Sequence, residues 1–258
     1  MLYGTIFGDI AGSIYEYRPV KDYNFNLITK LSRFTDDTVM TLAIASWLLK
    51  DPEDTNILIQ EMQSLGRRHP AAGYGGSFRK WLIDLDPKPY NSWGNGSAMR
   101  VSPCAWFAKS LEEAEVLAER SASVTHNHPE GIKGAKATAA AIYLARTNHS
   151  KQYIKTYIEN TYGYNLNRTV QDIIDRGYRF EVSCQKSVPE AIIAFLDSDD
   201  FETTIRNAIS LGGDADTQAA IAGSIAEAFY GIEDSFKDIV KAKLDKNLLT
   251  ILNNFNND

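Results

Sequence analysis

Two short acidic motifs, far apart in the sequence, contain the side chains best suited to hold a metal ion. The first is Thr35-Asp36-Asp37-Thr38, and the second is Asp214-Ala215-Asp216-Thr217, which follows two glycines. Each motif stands at the predicted start of an apolar helix, where free backbone N–H groups favour negative charge. Simple N-capping explains either motif by itself, but each has more carboxylates than a cap needs. Together they indicate two helix starts that share a cation.

Hard divalent cations prefer such oxygen ligands, and Mg²⁺, Mn²⁺ and Ca²⁺ are all compatible with the two motifs. The four carboxylates carry more negative charge than one divalent ion neutralises, so the pattern favours a two-metal site. Zinc is not expected, because the sequence has no HExxH motif and no cluster of Cys and His.

Glycines recur at every fourth position in the first helical segment, at Gly4, Gly8 and Gly12. This spacing lines one side of a helix and lets a second helix pack close to it. It does not explain Asp9 or Glu16, two carboxylates in an otherwise apolar stretch. Glu16 is either a surface residue or, beside a metal site, an acid, a base or a gate.

Two further segments are candidates for contact with a ligand. Gly94-Asn95-Gly96-Ser97 exposes backbone N–H groups that could cradle a phosphate, although Gly-Asn-Gly is also a common turn. His126 comes just before a helix that Pro129 opens. A histidine there is more often a cap or a satisfied structural residue, but its loop could also face a site.

Helical periodicity dominates the rest of the chain. The predicted helices cover residues 38–50, 111–124, 129–146, 166–177, 187–196, 201–211, 216–230 and 239–252. Ser187 is the predicted N-cap of its helix, with Pro189 in the first turn. Residues 23–29 are predicted as a loop, and the Asn-rich tail after residue 252 is expected to fray. No linker or repeat divides residues 1–258, so the pattern predicts one all-α domain.

Composition and charge narrow the class of protein. The chain has 258 residues, 44% of them hydrophobic, with a formal net charge of −6, which argues against a nucleic-acid scaffold. Its two cysteines, Cys104 and Cys184, predict reduced thiols rather than a disulfide framework. No signal peptide or membrane-spanning stretch is evident, so we expect a cytoplasmic protein with no membrane partner.

Five motifs together resemble the ADP-ribosylglycohydrolase family. The matching stretches are GDIAGSIYE at 8–16, FTDDT at 34–38, WGNGSAMRVSP at 93–103, THNHPEG at 125–131 and GGDADTQAAIAG at 212–223. They follow the family's order and span most of the chain. The resemblance implies an all-α, single-domain orthogonal helical bundle around a central two-metal cleft, with two Mg²⁺ or Mn²⁺ ions as cofactors.

The resemblance also assigns roles to individual residues. The implied metal ligands are Thr35, Asp36, Asp37, Asp214, Asp216 and Thr217. The implied catalytic carboxylates are Glu16, Asp36 and Asp214, with Glu16 at the mouth of the site as a gating or acid–base residue. Substrate contacts are expected from Gly94, Asn95, Gly96, Ser97 and His126.

The implied activity is hydrolysis of the bond at the anomeric carbon of the distal ribose, which removes ADP-ribose from a modified protein side chain or a small acceptor. Large substrate loops of some family members are absent from this compact chain, which leaves its acceptor open. A non-catalytic member that binds ADP-ribose or serves structurally is the alternative. That alternative predicts lost metal ligands, whereas all six positions here keep oxygen-bearing side chains.

Isoprenoid-synthase-like and His-Asp phosphohydrolase enzymes do not fit the sequence. The first would need Asp-Asp-x-x-Asp, but Met40 stands at the fifth position of the motif that begins at Asp36. The second would need a His-Asp pair, and none of the four histidines is followed by aspartate.

Overall fold

The structure is a computed structural model that describes residues 1–257. Besides its helices, these residues contain one 3₁₀ turn at Asn95–Ser97 and an isolated antiparallel bridge between Gly94 and Ser183. The helices are α1 Tyr3–Gly12, α2 Asp36–Lys50, α3 Thr55–Arg68, α4 Gly76–Ile83, α5 Ser102–Phe107, α6 Leu111–Ser123, α7 Pro129–Arg146, α8 Lys151–Tyr162, α9 Val170–Asp175, α10 Cys184–Leu196, α11 Phe201–Ser210, α12 Ala215–Tyr230, α13 Asp234–Lys243 and α14 Lys246–Asn257. No strand occurs within residues 1–257, and the all-α prediction is confirmed.

Side-chain caps explain where many helices begin. At α6, Ser110 accepts a hydrogen bond from the backbone N–H of Glu113 at 3.0 Å. At α9, Thr169 and Asp172 form a reciprocal capping box. Such caps satisfy N–H groups that the first helical turn leaves unpaired. The box sets the start of α9 at Val170, and the chain leaves the helix before Gly177, which has a φ of +74°, so α9 is shorter than the helix predicted over 166–177.

The backbones of α1 and α12 come unusually close to each other. An ideal β-carbon on Gly8 would lie 2.1 Å from the carbonyl oxygen of Ala219. One on Gly12 would lie 2.4 Å from the carbonyl oxygen of Ala215. Only glycine permits such an approach, because it has no β-carbon. The close packing predicted from the glycine spacing is therefore present.

The helix α12 is buried along most of its length and packs against α1, α7, α10 and α11. Alanine-rich faces on α7 and α12 allow these close contacts. The buried apolar side chains of the described residues form one continuous cluster, while the single-domain organisation stays a prediction. Residues 23–29 form a loop, as predicted. Within residues 1–257, no helix is both long enough and apolar enough to span a bilayer.

The start of α10 differs from the prediction. This helix begins at Cys184, ahead of the predicted cap Ser187, and it contains Pro189 in its interior. The backbone N–H of Cys184 donates to the carbonyl oxygen of Trp93 at 2.9 Å. This pairing with a distant loop sets the helix start, and the local pattern around Pro189 does not reveal it.

The C-terminal region also differs from the prediction. Two helices, α13 and α14, replace the single helix predicted over 239–252. Asp245 causes the break, because its Oδ1 accepts hydrogen bonds from the backbone N–H groups of Asn247 and Leu248 at 2.8 and 3.0 Å. The expected fraying after residue 252 is wrong, since α14 continues to Asn257 and buries Phe255.

Candidate active site

The first turns of α2 and α12 meet in space. The hydroxyl of Thr217 donates to Oδ2 of Asp37 at 3.3 Å, across a separation of 180 sequence positions. The hydroxyl of Thr35 reaches the same oxygen at 3.3 Å. Asp216 is buried beside them. The two acidic motifs therefore line one shared site and do not form two unrelated helix ends.

Asp9 of α1 holds the start of α2 in place. Its Oδ2 accepts hydrogen bonds from the backbone N–H groups of Thr35 at 2.9 Å and Thr38 at 3.1 Å. Both threonine hydroxyls also donate to this carboxylate. A carboxylate from another helix thus supplies the cap that the first turn of α2 needs. The sequence alone does not assign a role to Asp9. The one sign of it there is a carboxylate within an apolar helix that has glycine at every fourth position.

Asp214 connects α12 to the glycine loop, which we define as residues 94–96. The side-chain amide of Asn95 donates to Oδ2 of Asp214 at 2.7 Å and to the hydroxyl of Ser187 at 3.1 Å. Gly212, just before α12, has a φ of +69°, a backbone conformation that favours glycine. These contacts fix the orientation of one acidic side chain from a loop that is distant in sequence.

Burial and mutual repulsion raise the pKa values of the clustered carboxyl groups. Burial raises the pKa of Asp9 to about 6. Burial, followed by repulsion from Asp9, raises the pKa of Asp36 to about 7. The same two causes hold the pKa of Asp37 well above its ordinary value. Burial, followed by repulsion from Asp214, does the same for the pKa of Asp216. Such a cluster favours bound protons or a bound cation.

Glu16 lies beside this cluster and is half-buried. One of its carboxylate oxygens belongs to a group with oxygens of Asp214 and Asp216 in which all three atoms lie within 4.8 Å of one another. Burial is the largest cause that raises the pKa of Glu16, and repulsion from Asp214 adds to it. A carboxyl group with a raised pKa at the edge of a site is suited to proton transfer near neutral pH.

The residues of the cluster fit a hard divalent cation. Oxygens of Asp9, Asp37 and Asp216 form a second group within 4.8 Å of one another. The carboxylate of Asp9 already accepts four hydrogen bonds, so it supports Thr35 and is a poor direct ligand. Oδ1 of Asp37 is buried and has no hydrogen-bond partner. A buried carboxylate oxygen without a donor is costly unless a cation neutralises it.

The cluster opens into a cleft of about 800 Å³, within the range of small-molecule sites. The predicted site residues on its walls are Glu16, Thr35, Asp36, Asp37, Gly94, Asn95, Gly96, His126, Asp214, Asp216 and Thr217. Ser97 is the exception. It is fully buried, and its hydroxyl donates to the carbonyl oxygen of Gly131 at 2.7 Å. Ser97 thus supports the glycine loop from behind.

Several residues on the cleft wall have no role in the sequence-based expectations, although Trp93 and Arg100 lie within the motif at 93–103. The rings of Tyr17 and Phe180 stack at the rim with centroids 6.4 Å apart, and both are exposed. Trp93 and the buried Arg100 also line the cleft. No local pattern predicts the pairing of Tyr17 with Phe180, because long-range packing alone brings them together.

The family described as ADP-ribosylglycohydrolase matches residues 1–252 of this chain. The chain belongs to the ADP-ribosylglycohydrolase family. This finding confirms the resemblance expected from the five motifs. It also agrees with the cleft, because those motifs supply most of the residues at which the acidic cluster and the glycine loop meet.

Relatives within the ADP-ribosylglycohydrolase family cover most of the chain at modest identity. The chain is 28% identical to "ADP-ribosylhydrolase ARH3" of Bos taurus, with 90% of this chain and 84% of the relative aligned. It is 26% identical to "ADP-ribosylarginine hydrolase Tri1" of Pseudomonas putida over 90% of this chain and 70% of the relative. It is 29% identical to "ADP-ribosyl-[dinitrogen reductase] glycohydrolase" of Rhodospirillum rubrum, with 80% of this chain and 71% of the relative aligned.

A solved structure described as "ADP-ribosylglycohydrolase-related protein complex" shares the fold. The TM-score is 0.71 at 24% identity, and the match covers 94% of this chain and 93% of that chain. The alignment with the bovine relative extends over 309 positions, more than the 258 residues of this chain. That relative therefore carries insertions that this family member lacks.

Proposed function

We propose that this protein is a metal-dependent hydrolase that removes ADP-ribose from a modified protein side chain or a small acceptor. The bond that breaks is the one at the anomeric carbon of the distal ribose. The observation that carries the proposal is the contact between Thr217 and Asp37, which joins the two acidic motifs in one cleft. Two isolated helix caps would give no such shared site.

Six side chains would hold two divalent cations, Mg²⁺ or Mn²⁺. They are Thr35, Asp36, Asp37, Asp214, Asp216 and Thr217. The unpartnered Oδ1 of Asp37 and the raised pKa of Asp216 support this assignment, because both reflect negative charge without a counter-ion. Bound cations would orient ribose hydroxyls and lower the pKa of a water molecule.

The glycine loop and His126 would bind the ADP-ribose part of the substrate. Gly94 and Gly96 lack side chains where the loop faces the cleft, so a phosphate can approach the loop backbone closely. The backbone N–H groups of Gly94 and Asn95 already donate to Ser92 and Val182, which leaves the N–H of Gly96 as the candidate phosphate donor. We leave Ser97 out of this set because its hydroxyl points to Gly131. Binding the remote diphosphate would position the ribose for attack beside the carboxylates.

Three carboxyl groups are candidates for proton transfer, namely Glu16, Asp36 and Asp214. In the reaction, water adds its oxygen to the anomeric carbon, and the bond from that carbon to the acceptor atom breaks. One carboxylate takes a proton from the water, and the departing nitrogen or oxygen receives a proton. Glu16 is suited to this exchange, because it is only half-buried and its pKa is raised by burial.

The printed names of the relatives support an ADP-ribosylated substrate. One relative is named for ADP-ribosylarginine and another for ADP-ribosylated dinitrogen reductase. These names differ in the acceptor, so the chain's own acceptor has to be measured. A panel of substrates carrying ADP-ribose on arginine, on serine or as an acetyl ester would identify it.

The decisive experiment is turnover of this panel with Mg²⁺ or Mn²⁺, before and after chelation, by wild type and by Asp214→Ala. We expect metal-dependent release of ADP-ribose by wild type and a loss of about 10²-fold or more in Asp214→Ala. Asp54→Ala is a matched control, because Asp54 is the N-cap of α3 and does not line the cleft. It should keep wild-type turnover.

Two results would reject the proposal. One is near-normal turnover by Asp214→Ala, and the other is activity that survives complete chelation. Binding of ADP-ribose without turnover of any substrate would instead identify a non-catalytic member of the family.

A further inference from the structure

The ring of His126 is held with one nitrogen facing the cleft and the other facing inward. A β-carbon on Gly96 would lie 3.1 Å from Nε2, and one on Gly94 would lie 3.7 Å from it. Nδ1 instead lies 2.7 Å from the hydroxyl oxygen of Thr125. The ring therefore presents Nε2 at the glycine loop, where the ADP-ribose part of the substrate is proposed to bind.

The hydroxyl of Thr125 has a second neighbour that determines the direction of its bond to His126. A guanidinium nitrogen of Arg100 lies 2.9 Å from the same oxygen. Guanidinium groups only donate hydrogen bonds, so the threonine oxygen accepts there. A hydroxyl oxygen can accept two hydrogen bonds, but Thr125 is fully buried, and its own hydrogen would have no partner if Nδ1 also donated to it. Nδ1 is the one other partner that the described residues give this hydroxyl, so Nδ1 is the acceptor.

Arg100 is itself fixed although it has no acidic partner among the described residues. Its side chain is buried, and the same nitrogen also donates to the carbonyl oxygen of Ser121 at 2.8 Å. No ion pair joins it to a carboxylate within residues 1–257. Burial and the nearby positive charge of Arg100 lower the pKa of His126 well below its ordinary value. The imidazole therefore stays neutral and carries one proton.

We propose that Arg100 and Thr125 are positioning residues that hold neutral His126 with its proton on Nε2. In this tautomer, Nε2 donates a hydrogen bond to an oxygen of the bound ADP-ribose beside the glycine loop. The proposal rests on the proposed function for its ligand, but the tautomer itself is a property of the free protein. Neither positioning residue needs to touch the reacting atoms.

The tautomer can be read directly from ¹⁵N NMR of the imidazole rings. The chain has four histidines, and a His126→Gln variant assigns the signal. Wild type should show a protonated Nε2 and an unprotonated Nδ1. Thr125→Val removes the donor to Nδ1 and should populate the opposite tautomer, whereas Thr125→Ser keeps a hydroxyl and should retain the wild-type spectrum.

Binding and kinetics test the consequence. Thr125→Val should weaken ADP-ribose binding and raise KM by about tenfold, the value of one hydrogen bond, with kcat changed by less than about twofold. Thr125→Ser should keep the wild-type affinity for ADP-ribose and the wild-type KM. Ser121→Ala is the matched control, because Arg100 uses only the backbone carbonyl of Ser121. It should bind ADP-ribose as wild type does.

The outcomes separate this inference from the proposed function. A wild-type spectrum with the proton on Nδ1 would overturn the positioning inference alone. Binding of ADP-ribose by Thr125→Val as tightly as by wild type would also overturn the positioning inference alone. Failure of the wild type to bind ADP-ribose would overturn the proposed function and the ligand role of His126 together.

Discussion

Gly12→Ala tests how the packing of α1 against α12 controls the site. The added β-carbon would lie 2.4 Å from both the carbonyl oxygen of Ala215 and the α-carbon of Asp216. Real β-carbons essentially never come closer than 3.0 Å to such atoms. The two backbones must therefore separate by at least about 0.6 Å. Asp216 lies at the point of contact, so the acidic first turn of α12 would move away from α2.

Two opposing effects set the size of the change in stability. Overpacking a buried contact lowers the free energy of unfolding by about 1–3 kcal/mol. Replacing a helical glycine with alanine raises it by about 0.5–1 kcal/mol. The net loss is between about 0 and 2.5 kcal/mol, which should lower the Tm of a chain this long by up to about 10 °C. Since a misplacement near 1 Å can cost about 10²-fold in rate, kcat/KM should fall by about tenfold to a hundredfold.

Calorimetry would measure the change in Tm. Turnover of whichever ADP-ribosylated substrate of the panel the wild type hydrolyses would measure the change in kcat/KM. Gly76→Ala is the control for stability, because a β-carbon there meets nothing within 4 Å. Its Tm should equal or exceed that of wild type. If Gly12→Ala kept both the wild-type Tm and the wild-type rate, the close contact between α1 and α12 would not control the site.

Two further predictions concern the metal-free protein. In chelator, stability should fall as pH rises from about 4 to about 7, because burial raises the pKa of Asp36 from 3.8 to about 7 and the fold favours its protonated form. Tm measured across this range checks the sign, and a rise would contradict it. Asp37→Asn should abolish turnover yet raise the metal-free Tm at pH 8 by about 2–4 °C, since it replaces a carboxyl group whose burial disfavours the ionised form with an amide that does not ionise. Excess Mn²⁺ should raise the Tm of wild type and leave the Tm of Asp37→Asn unchanged. Equal increases in Tm for both proteins would contradict a role for Asp37 in metal binding.

Local sequence signals predict the helices that carry their own caps and periodicity. The helix predicted over 129–146 matches α7 at both ends, because Pro129 opens it and the alanine-rich pattern continues to Arg146. The start of α10 and the break before α14 were missed. The first depends on backbone pairing with Trp93, and the second on the capping side chain of Asp245. Periodicity contains neither kind of information.

The composition of the site was predictable in part. The two acidic motifs, Glu16 and the glycine loop are visible as unusual residue types at helix starts and turns. Asp9 and Arg100 were given no role, because their functions arise from partners at positions 35–38 and 121–125. Ser97 looks like a ligand contact in the sequence, but its hydroxyl faces Gly131. Side-chain direction depends on packing that a linear pattern does not contain.

The helix α1 explains how two motifs so far apart in sequence form one site. Its glycine face fixes its distance from α12, since Gly12 meets the backbone of Ala215 directly before Asp216. Its carboxylate Asp9 fixes the first turn of α2 through the backbone of Thr35. One helix thus sets the positions of both acidic turns, so a change in its packing would alter the distance between them. The glycine spacing and the buried Asp9, which look unrelated in the sequence, serve the same geometry.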